Sequence, residues 1–412
     1  MKTIIVGGGI TGIATALYAK KLGLNNIYLF EKRNSIGGIL KDLNINQKTY
    51  FLSNCQYFAS DSPIFNVINR DLFYEFRHSC GTFSRFKGNL ITRDDFAGPT
   101  FNLNGEEILI DIDLNKDNVS SYFESYPRAI KSELNKLFAR ISDSSKIHPS
   151  CLSSLQLQRI FVQDEVNQIL NLKSNSYNHD KLYGLPRSIL KLNDSFSCLP
   201  IGGFDNLFAK VYKQLIDSDI KIKFSANLTP TYENNSFFLK VKDKKINSAK
   251  DLIIWTADPN KFLTMDKNPL SYRPLNMMNY YFKISNFIKN PFYIQVFDVT
   301  TPILRIFIYD NSVVVEALKN EDNEKTIISQ AMKIIKNFDE NLIFEGYQPK
   351  DIFSKREKRF TLFGSKIYRK LKDLNENSFD KNNLLFTPWH LYGRDLRIEN
   401  IFENLRLLKE RY

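Results

Sequence analysis

The sequence predicts an α/β fold with two kinds of sheet, a parallel one at the amino terminus and an antiparallel one in the second half. Residues 3–6 form an apolar run that ends in glycine, and a helix-like stretch at 10–19 and a second apolar run at 27–30 follow. Strand, turn, helix and strand in that order are typical of a βαβ unit with parallel strands. Four strand-like runs within 278–318, with no helix between them, predict an antiparallel sheet.

A glycine turn after the first strand carries the main functional signal. Gly7, Gly9 and Gly12 have G-x-G-x-x-G spacing. In that spacing the first glycine permits a tight turn, the second lets a diphosphate approach the backbone, and the third lets the helix pack closely on the strand. Glu31 follows Gly12 by 19 residues, close to the roughly 20 expected of an acid that binds a ribose hydroxyl. The segment therefore predicts a Rossmann-like dinucleotide site; the alternative is a glycine-rich turn in an ordinary βαβ unit.

The segment after this acid resembles a known group of flavoproteins. Residues 31–38 read Glu-Lys-Arg-Asn-Ser-Ile-Gly-Gly, and plain NAD dehydrogenases do not usually carry the glycine pair Gly37-Gly38. The stretch resembles the FAD-dependent amine oxidase and protoporphyrinogen oxidase superfamily, and also the UDP-galactopyranose mutases, which share that FAD fold. Two shorter segments, 199–207 and 384–395, continue the resemblance. It implies FAD as the cofactor and a Rossmann-like FAD-binding domain.

The resemblance also implies which later residues approach the cofactor. The backbone near Leu228 would contact the adenine, and the chain would leave the FAD-binding domain after Thr256. A Gly-Asp pair follows the last strand in these families, but Thr387-Pro388 stands there, and Arg394-Asp395 is the nearest substitute. The predicted cofactor-binding residues are Gly7, Gly9, Ile10, Thr11, Gly12, Glu31, Lys32, Gly37, Gly38, Leu228, Thr256, Arg394, Asp395 and Leu396.

The FAD-binding domain is predicted to be discontinuous. It comprises residues 1–79, 191–260 and 380–412, and a mixed α+β substrate domain with the antiparallel sheet comprises 80–190 and 261–379. Apolar spacing also predicts local elements. These are helices at 63–76, 128–141, 153–171 and 322–337, and hairpins at 83–92 and around residues 234–235.

Three residues are candidates for catalysis. Cys55 and Tyr57 stand where the resembling families often have a glycine and a histidine close to the flavin, and His390 lies in a polar loop. Cys55 can equally be a small buried side chain, and His390 has no clear partner in the sequence. Neither a G-x-S-x-G elbow nor an H-E-x-x-H pair is present. The sequence therefore names no general base.

Composition narrows the class of protein and its partners. The net charge of +12 could attract phosphorylated ligands, but the basic residues are dispersed, as on an ordinary solvated surface, so we expect no nucleic-acid partner. The four cysteines form no C-x-x-C pair, and we predict neither a disulfide framework nor a metal site. No apolar run reaches the roughly 18 residues of a membrane span. We expect a cytoplasmic protein, with its oligomeric state left open.

The predicted function is the flavin-dependent oxidation or reduction of a small molecule, such as an amine, an alcohol or a sugar-like compound. The first alternative is a sugar-nucleotide isomerase similar to UDP-galactopyranose mutase, which residues 32–38 and the positive charge favour. The second is a non-catalytic FAD-binding module, which the missing Gly-Asp pair favours.

Overall fold

The chain folds as two units. The first unit comprises Met1–Tyr74, Cys198–Ser271 and Lys366–Tyr412, and the second comprises Glu75–Ser197 and Tyr272–Ser365. Their assignment to FAD binding and to substrate binding stays a prediction. The computed structural model describes residues 1–45, 48–50, 57–77, 79–86, 89–93, 120, 124, 131–132, 135–136, 139, 196–233, 236–241, 244–247, 250–265, 273–318, 323–338, 340–342, 348–362, 365–391 and 393–411.

The described part of the chain contains both strands and helices, with several runs of consecutive strands. The strands are β1 (Thr3–Val6), β2 (Ile27–Phe30), β3 (Leu43–Ile45), β4 (Lys48–Tyr50), β5 (Phe58–Ala59), β6 (Phe73–Arg77), β7 (Ser79–Phe86), β8 (Asn89–Arg93), β9 (Phe196–Pro200), β10 (Lys221–Lys223), β11 (Thr229–Glu233), β12 (Ser236–Val241), β13 (Lys244–Asn247), β14 (Leu252–Trp255), β15 (Arg273–Phe297), β16 (Ile303–Leu318), β17 (Lys350–Leu362) and β18 (Leu384–Phe386). The helices are α1 (Ile10–Lys21), α2 (Gly203–Asp217), α3 (Asn260–Leu263), α4 (Glu324–Lys336), α5 (Ser365–Asn382) and α6 (Arg394–Arg411).

The first unit is built on a parallel sheet with the strand order β10-β2-β1-β14-β18. All four residues of β1 and of β14 are buried, as expected of central strands that are covered on both faces. The chain passes from β1 to β2 on one side, whereas β14 pairs with β1 on the other. The strand order therefore reverses at β1. In open parallel sheets the ligand crevice lies outside the carboxyl ends of the strands at such a point.

Helix α1 packs against both the sheet and the last helix. Its side chains from Ile13 to Leu17 are buried, and Ala14 lies in one cluster with Ile398 and Phe402 of α6. The rings of Tyr18 and Phe402 stack with their centroids 3.9 Å apart. Residues from the two ends of the chain thus fix the orientation of the helix that begins at the glycine turn.

Three smaller sheets accompany the parallel sheet. Strands β11, β12 and β13 form an antiparallel sheet, and β3 pairs with β4. A third sheet has the order β5-β9-β6, and the chain passes from one unit to the other within β6 and β9.

The second unit contains an antiparallel core sheet. Strand β15 pairs with β16 and with β17 in antiparallel orientation. On the same sheet, β15 pairs with β7 in parallel orientation, and β7 pairs with β8 in antiparallel orientation. Asn323 caps the start of helix α4, because its side chain accepts a hydrogen bond of 2.8 Å from the Thr326 N–H. The apolar side chains of α4, among them Ile327 and Ile335, share a cluster with Phe282 and other sheet residues. This packing covers one face of the sheet.

A row of polar side chains is buried in the same sheet. Asn279 of β15 lies opposite Glu316 of β16, and the Arg305 guanidinium forms an ion pair with the Glu316 carboxylate. Arg305 and Glu316 are 11 residues apart in sequence, a distance of about 36 Å in an extended strand. The chain must therefore reverse between them. Asp310, with a φ of +59°, lies midway between them.

The predicted α/β fold, with a Rossmann-like parallel sheet and a separate antiparallel sheet, is confirmed. The hairpin at 83–92, the strands on either side of residues 234–235 and the helix at 322–337 are present as well. The predicted helix at 63–76 is wrong, because short 3-10 turns at Pro63–Asn66 and Arg70–Leu72 precede strand β6. Apolar spacing suited a helix, but Phe65 and Phe73 pack edge to face instead.

Other expectations lie partly or wholly outside the described residues. The helix predicted at 153–171 falls there entirely, and that at 128–141 falls there in large part. Among the described residues, no helix combines the length and the apolar character that crossing a bilayer requires.

Candidate nucleotide-binding site

The three glycines of the turn between β1 and α1 have different surroundings. Gly7 has a φ of +112°, and a Cβ there would lie 2.8 Å from the hydroxyl oxygen of Thr256. A Cβ at Gly12 would lie 1.8 Å from the carbonyl oxygen of Gly7, so packing excludes a side chain. At Gly9 the φ is −73°, and beyond the two adjacent residues no described atom lies within 4 Å of the absent Cβ. The fold thus requires Gly7 and Gly12, whereas Gly9 leaves open space beside its backbone.

This open space lies at the N-terminus of α1. Gly9 is the N-cap residue, and no side chain of the described residues caps the helix there. Ile10 is buried and Thr11 is partly exposed in the first turn. The first N–H groups of a helix have no partner within it and carry a partial positive charge. The space beside Gly9 therefore suits a phosphate group.

Glu31 lies directly beside the turn. Its carboxylate is buried, and the oxygen Oε2 accepts a hydrogen bond of 2.6 Å from the Gly8 N–H. The other oxygen, Oε1, accepts one of 2.8 Å from the Arg33 N–H. Each carboxylate oxygen can accept a further hydrogen bond. The acid therefore stays able to bind a hydroxyl group while the backbone holds it in place. Lys32, the next residue, is exposed.

The glycine pair of residues 37 and 38 closes onto the same turn. The Gly37 N–H donates to the Gly8 carbonyl at 2.8 Å, and Gly37 and Gly9 form an isolated parallel bridge. Gly38 has a φ of +65°, and a Cβ there would lie 3.1 Å from the Cα of Gly9. The Arg33 guanidinium donates to the Gly38 carbonyl at 2.8 Å. The pair therefore needs glycine both for its backbone conformation and for its contact with Gly9.

Thr256 and Leu228 have supporting contacts. The Thr256 hydroxyl donates to the carbonyls of Val6, at 2.9 Å, and Gly7, at 3.1 Å, so this side chain braces the turn from behind. Leu228 is buried, and its carbonyl accepts a hydrogen bond from the ammonium of Lys261.

The start of α6 brings together a second group of the predicted residues. Arg394 lies over the ring of Phe58, 4.1 Å from its centroid, and donates to the carbonyl of Tyr57 at 2.7 Å. Asp395 accepts a hydrogen bond of 2.9 Å from the Ser62 hydroxyl, whereas Leu396 is exposed. These contacts tie α6 to residues 57–62 and form a group distinct from the glycine turn.

The catalytic candidates are not brought together by the described contacts. His390 is half-buried, and its ring meets the Tyr368 ring edge to face at 5.7 Å. Burial lowers the pKa of His390, and the nearby charge of Glu376 opposes this effect. Tyr57 uses its carbonyl to bind Arg394. Cys55 lies outside the described residues.

Thr387 occupies the place of the missing Gly-Asp pair and is engaged elsewhere. Its hydroxyl and its N–H both donate to the carbonyl of Trp255, at 2.8 and 3.0 Å, and the residue is buried. It therefore joins β18 to β14 rather than presenting a carboxylate, as the aspartate of that pair would.

The sequence did not predict three residues that take part in these contacts. Arg33 fastens Gly38, Ser62 binds Asp395, and Lys261 binds the Leu228 carbonyl. Arg33 lies five residues from its partner and could have been suspected from the basic pair after Glu31. Ser62 lies 333 residues from Asp395, and Lys261 lies 33 residues from Leu228. No local sequence pattern predicts contacts between residues so far apart.

Comparisons with known proteins show which solved structures share the fold of this chain. The sequence model of NAD(P)-binding Rossmann-like domains matches residues 5–69. A putrescine oxidase double mutant with redesigned cofactor binding matches with a TM-score of 0.61 and 11% identity, over 99% of this chain and 98% of that one. The chain shares its fold with that enzyme.

Two further structures match over nearly their whole length. A reduced UDP-galactopyranose mutase matches with a TM-score of 0.60 and 12% identity, over 100% of this chain and 94% of that one. A candidate protoporphyrinogen oxidase from Exiguobacterium sp. 255-15 has a TM-score of 0.58 and 12% identity, over 100% and 99%. The resemblance to these groups is confirmed at the level of the fold. Among curated protein sequences, none matches this chain.

Proposed function

We propose that the chain is an FAD-dependent oxidoreductase that acts on a small molecule. The observation that carries the proposal is the contact of Gly37 and Gly38 with the glycine turn, through the hydrogen bond to Gly8 and the close approach to Gly9. This second glycine pair belongs to the resemblance with the FAD superfamily and is unusual in plain NAD dehydrogenases. The shared fold with putrescine oxidase supports the same cofactor class.

The residues present fit a dinucleotide. The open position at Gly9 and the uncapped start of α1 would hold the diphosphate, with Ile10 and Thr11 supplying N–H groups. Glu31 would accept a hydrogen bond from a ribose hydroxyl, because each of its carboxylate oxygens can accept one more hydrogen bond. FAD, when bound, supplies hydride transfer, which no protein side chain can perform.

Arg394 and the start of α6 would supply positive charge. The guanidinium stands at the first residue of the helix, where the helix dipole is already positive. The Asp395 carboxylate, 3.2 Å from the Arg394 Nε, already offsets part of this unfavourable placement, and an anionic group of the cofactor would offset more of it. We assign Arg394, with Asp395 and Leu396, to the cofactor surface on this ground. Tyr57 and His390 remain candidates for contact with the substrate, and neither is assigned a role in proton transfer.

An isomerase similar to UDP-galactopyranose mutase is the second candidate. The stretch from Glu31 to Gly38 resembles those mutases, and the TM-score of 0.60 to the reduced mutase is close to the 0.61 of the putrescine oxidase. The two reactions differ in electron balance. An oxidoreductase consumes a stoichiometric acceptor, whereas the isomerase needs a reduced flavin and consumes none.

The proposal is tested by replacing Gly9 with valine. Valine can adopt a φ of −73°, and no described atom beyond the adjacent residues lies within 4 Å of a Cβ at this position, so the protein should fold while the diphosphate is excluded. The wild-type protein should purify yellow, with the absorbance of oxidised flavin, and Gly9→Val should be colourless. Lys409→Val, which places the same residue on an exposed face of α6, should keep the full flavin content.

Two results would contradict the proposal. One is a Gly9→Val protein that retains full flavin content, since the diphosphate would then lie elsewhere. The other is a wild-type protein that binds no FAD when it is added at saturating concentration. With flavin bound, steady consumption of oxygen or a dye acceptor supports the oxidoreductase. Turnover that appears only after dithionite reduction and consumes no acceptor supports the isomerase instead.

A further inference from the structure

Lys261 joins helix α3 to the segment between β10 and β11. Its ammonium lies 2.6 Å from the side-chain oxygen of Asn227 and donates to the Leu228 carbonyl. Leu228 is buried, so the carbonyl has lost much of its contact with water. A charged donor makes a stronger hydrogen bond than a neutral one, and here a single ammonium fixes two consecutive residues.

This segment is tied to the acid at the end of β2. The Ala226 N–H donates to the carbonyl of Glu31 at 2.9 Å, and the Ser225 N–H donates to that of Arg33 at 3.0 Å. Residues 225–228 therefore run alongside residues 31–33, at the carboxyl ends of β10 and β2. Ligands of open parallel sheets lie outside such ends. The segment that Lys261 holds thus borders the position beyond the ribose acid.

Holding this segment has an electrostatic cost. Burial lowers the pKa of Lys261, the positive charge of Lys32 lowers it further, and Asp258 opposes both effects. The side chain of Lys261 is partly buried, and its charge lies close enough to that of Lys32 for the two cations to repel each other. A lysine that served only to cover apolar surface would gain nothing from this arrangement. Its two hydrogen bonds to the 227–228 segment account for its position.

We propose that Lys261 is a positioning residue that holds the Asn227–Leu228 segment as the wall of the site for the adenosine half of the dinucleotide. The inference rests on the proposed function, since it takes Glu31 as the ribose acid. Lys261 acts through the segment rather than by contact with the phosphates. It therefore sets the affinity for any adenosine-containing ligand, with or without phosphate groups.

The test measures the binding of ADP and of adenosine to the full-length, cofactor-depleted protein by titration calorimetry. Lys261→Met keeps the aliphatic stem and removes both hydrogen bonds. It should raise the Kd of ADP and of adenosine alike, about tenfold, the loss expected for about one hydrogen bond to a charged group. Lys261→Arg, which retains cationic donors, should recover most of the affinity. Lys213→Met, at an exposed position of α2, is the matched control.

Other outcomes would overturn the inference. If Lys261→Met weakens ADP alone and added salt abolishes the difference, the lysine acts directly on phosphate and not through the wall. If both ligands bind the variant as they bind the wild type, the lysine has no part in the site. Thermal unfolding of each cofactor-depleted variant shows whether the protein is folded.

Failure of the inference can be distinguished from failure of the proposed function. A wild-type protein that binds FAD, together with a Lys261→Met variant of unchanged ADP affinity, refutes the positioning role and leaves the flavoenzyme standing. A wild-type protein that binds ADP but not FAD refutes the flavoenzyme. The Kd of ADP for the Lys261→Met and Lys261→Arg variants still decides whether Lys261 has a positioning role.

Discussion

Glu31 in the first unit and Glu316 in the second are both buried, but different partners hold them. Glu31 lies after the end of a parallel strand and accepts hydrogen bonds from the backbone N–H groups of Gly8 and Arg33. Glu316 lies within an antiparallel strand, fully buried, and forms an ion pair with the Arg305 guanidinium. The carboxylate of Glu31 is thus held by backbone N–H groups of a turn, whereas that of Glu316 is paired with a charged side chain.

The difference shows how each unit can use its polar residues. Backbone N–H groups hold Glu31 without neutralising its charge, so it keeps the ability to bind a ligand at the edge of the sheet. The charge of Glu316 is already compensated by Arg305, and the Tyr293 hydroxyl lies 3.4 Å from the same guanidinium. A compensated pair gives little to a ligand, but it is very sensitive to the loss of one partner.

The largest expected effect comes from breaking the ion pair of the second unit. Glu316→Gln should reduce the free energy of unfolding by about 3–5 kcal/mol, because it leaves the buried Arg305 charge without its carboxylate. Urea unfolding followed by circular dichroism measures the loss. The double variant Arg305→Met with Glu316→Leu should recover most of the stability, since it removes both charges. A single variant as stable as the wild type would show that the pair is not energetically coupled.

A smaller effect is expected from the corresponding change in the first unit. Glu31→Gln keeps the size of the side chain but turns one acceptor into a donor, so either the Gly8 or the Arg33 N–H loses its partner. We expect a loss of about 1–3 kcal/mol in the cofactor-depleted protein, measured in the same urea experiment. A loss equal to that of Glu316→Gln would break the comparison, because it would mean that the charge of Glu31 matters as much as its hydrogen bonds.

The smallest effect concerns His390, which belongs neither to the hydrogen bonds of Glu31 nor to the ion pair of Glu316. Its pKa is lowered from 6.5, mainly by burial. The unfolded chain then binds this proton more readily than the folded protein does. The histidine's contribution to stability is therefore fully present above pH 6.5 and is lost as the pH falls below that value. His390→Gln should reduce the fall in urea midpoint between about pH 7 and about pH 5.

The control for this experiment is the wild-type protein, which carries every other titrating group unchanged. Subtracting the two pH profiles isolates the contribution of the histidine. A variant whose profile is parallel to that of the wild type over the whole range would show that the half-buried ring titrates as it does in the unfolded chain.

The glycine turn could be predicted because its information is local. Residues 7–12 and Glu31 lie within one βαβ unit, where a short span of sequence fixes the turn, the helix start and the distance to the acid. The clash at Gly12 and the open space at Gly9 agree with the roles that the spacing implies. The helix at 63–76 failed because the packing of Phe65 and Phe73 overrode the apolar period in the sequence.

By itself, the sequence determined the α/β fold, the glycine turn and the antiparallel sheet, because each depends on the period or the spacing of residues that lie close together in the chain. Only the tertiary structure paired Arg305 with Glu316, Ser62 with Asp395 and Lys261 with Leu228. These contacts join residues that lie far apart in sequence or across a chain reversal. A hydrogen bond depends on the final positions of two groups, and no periodic pattern in the chain encodes that distance.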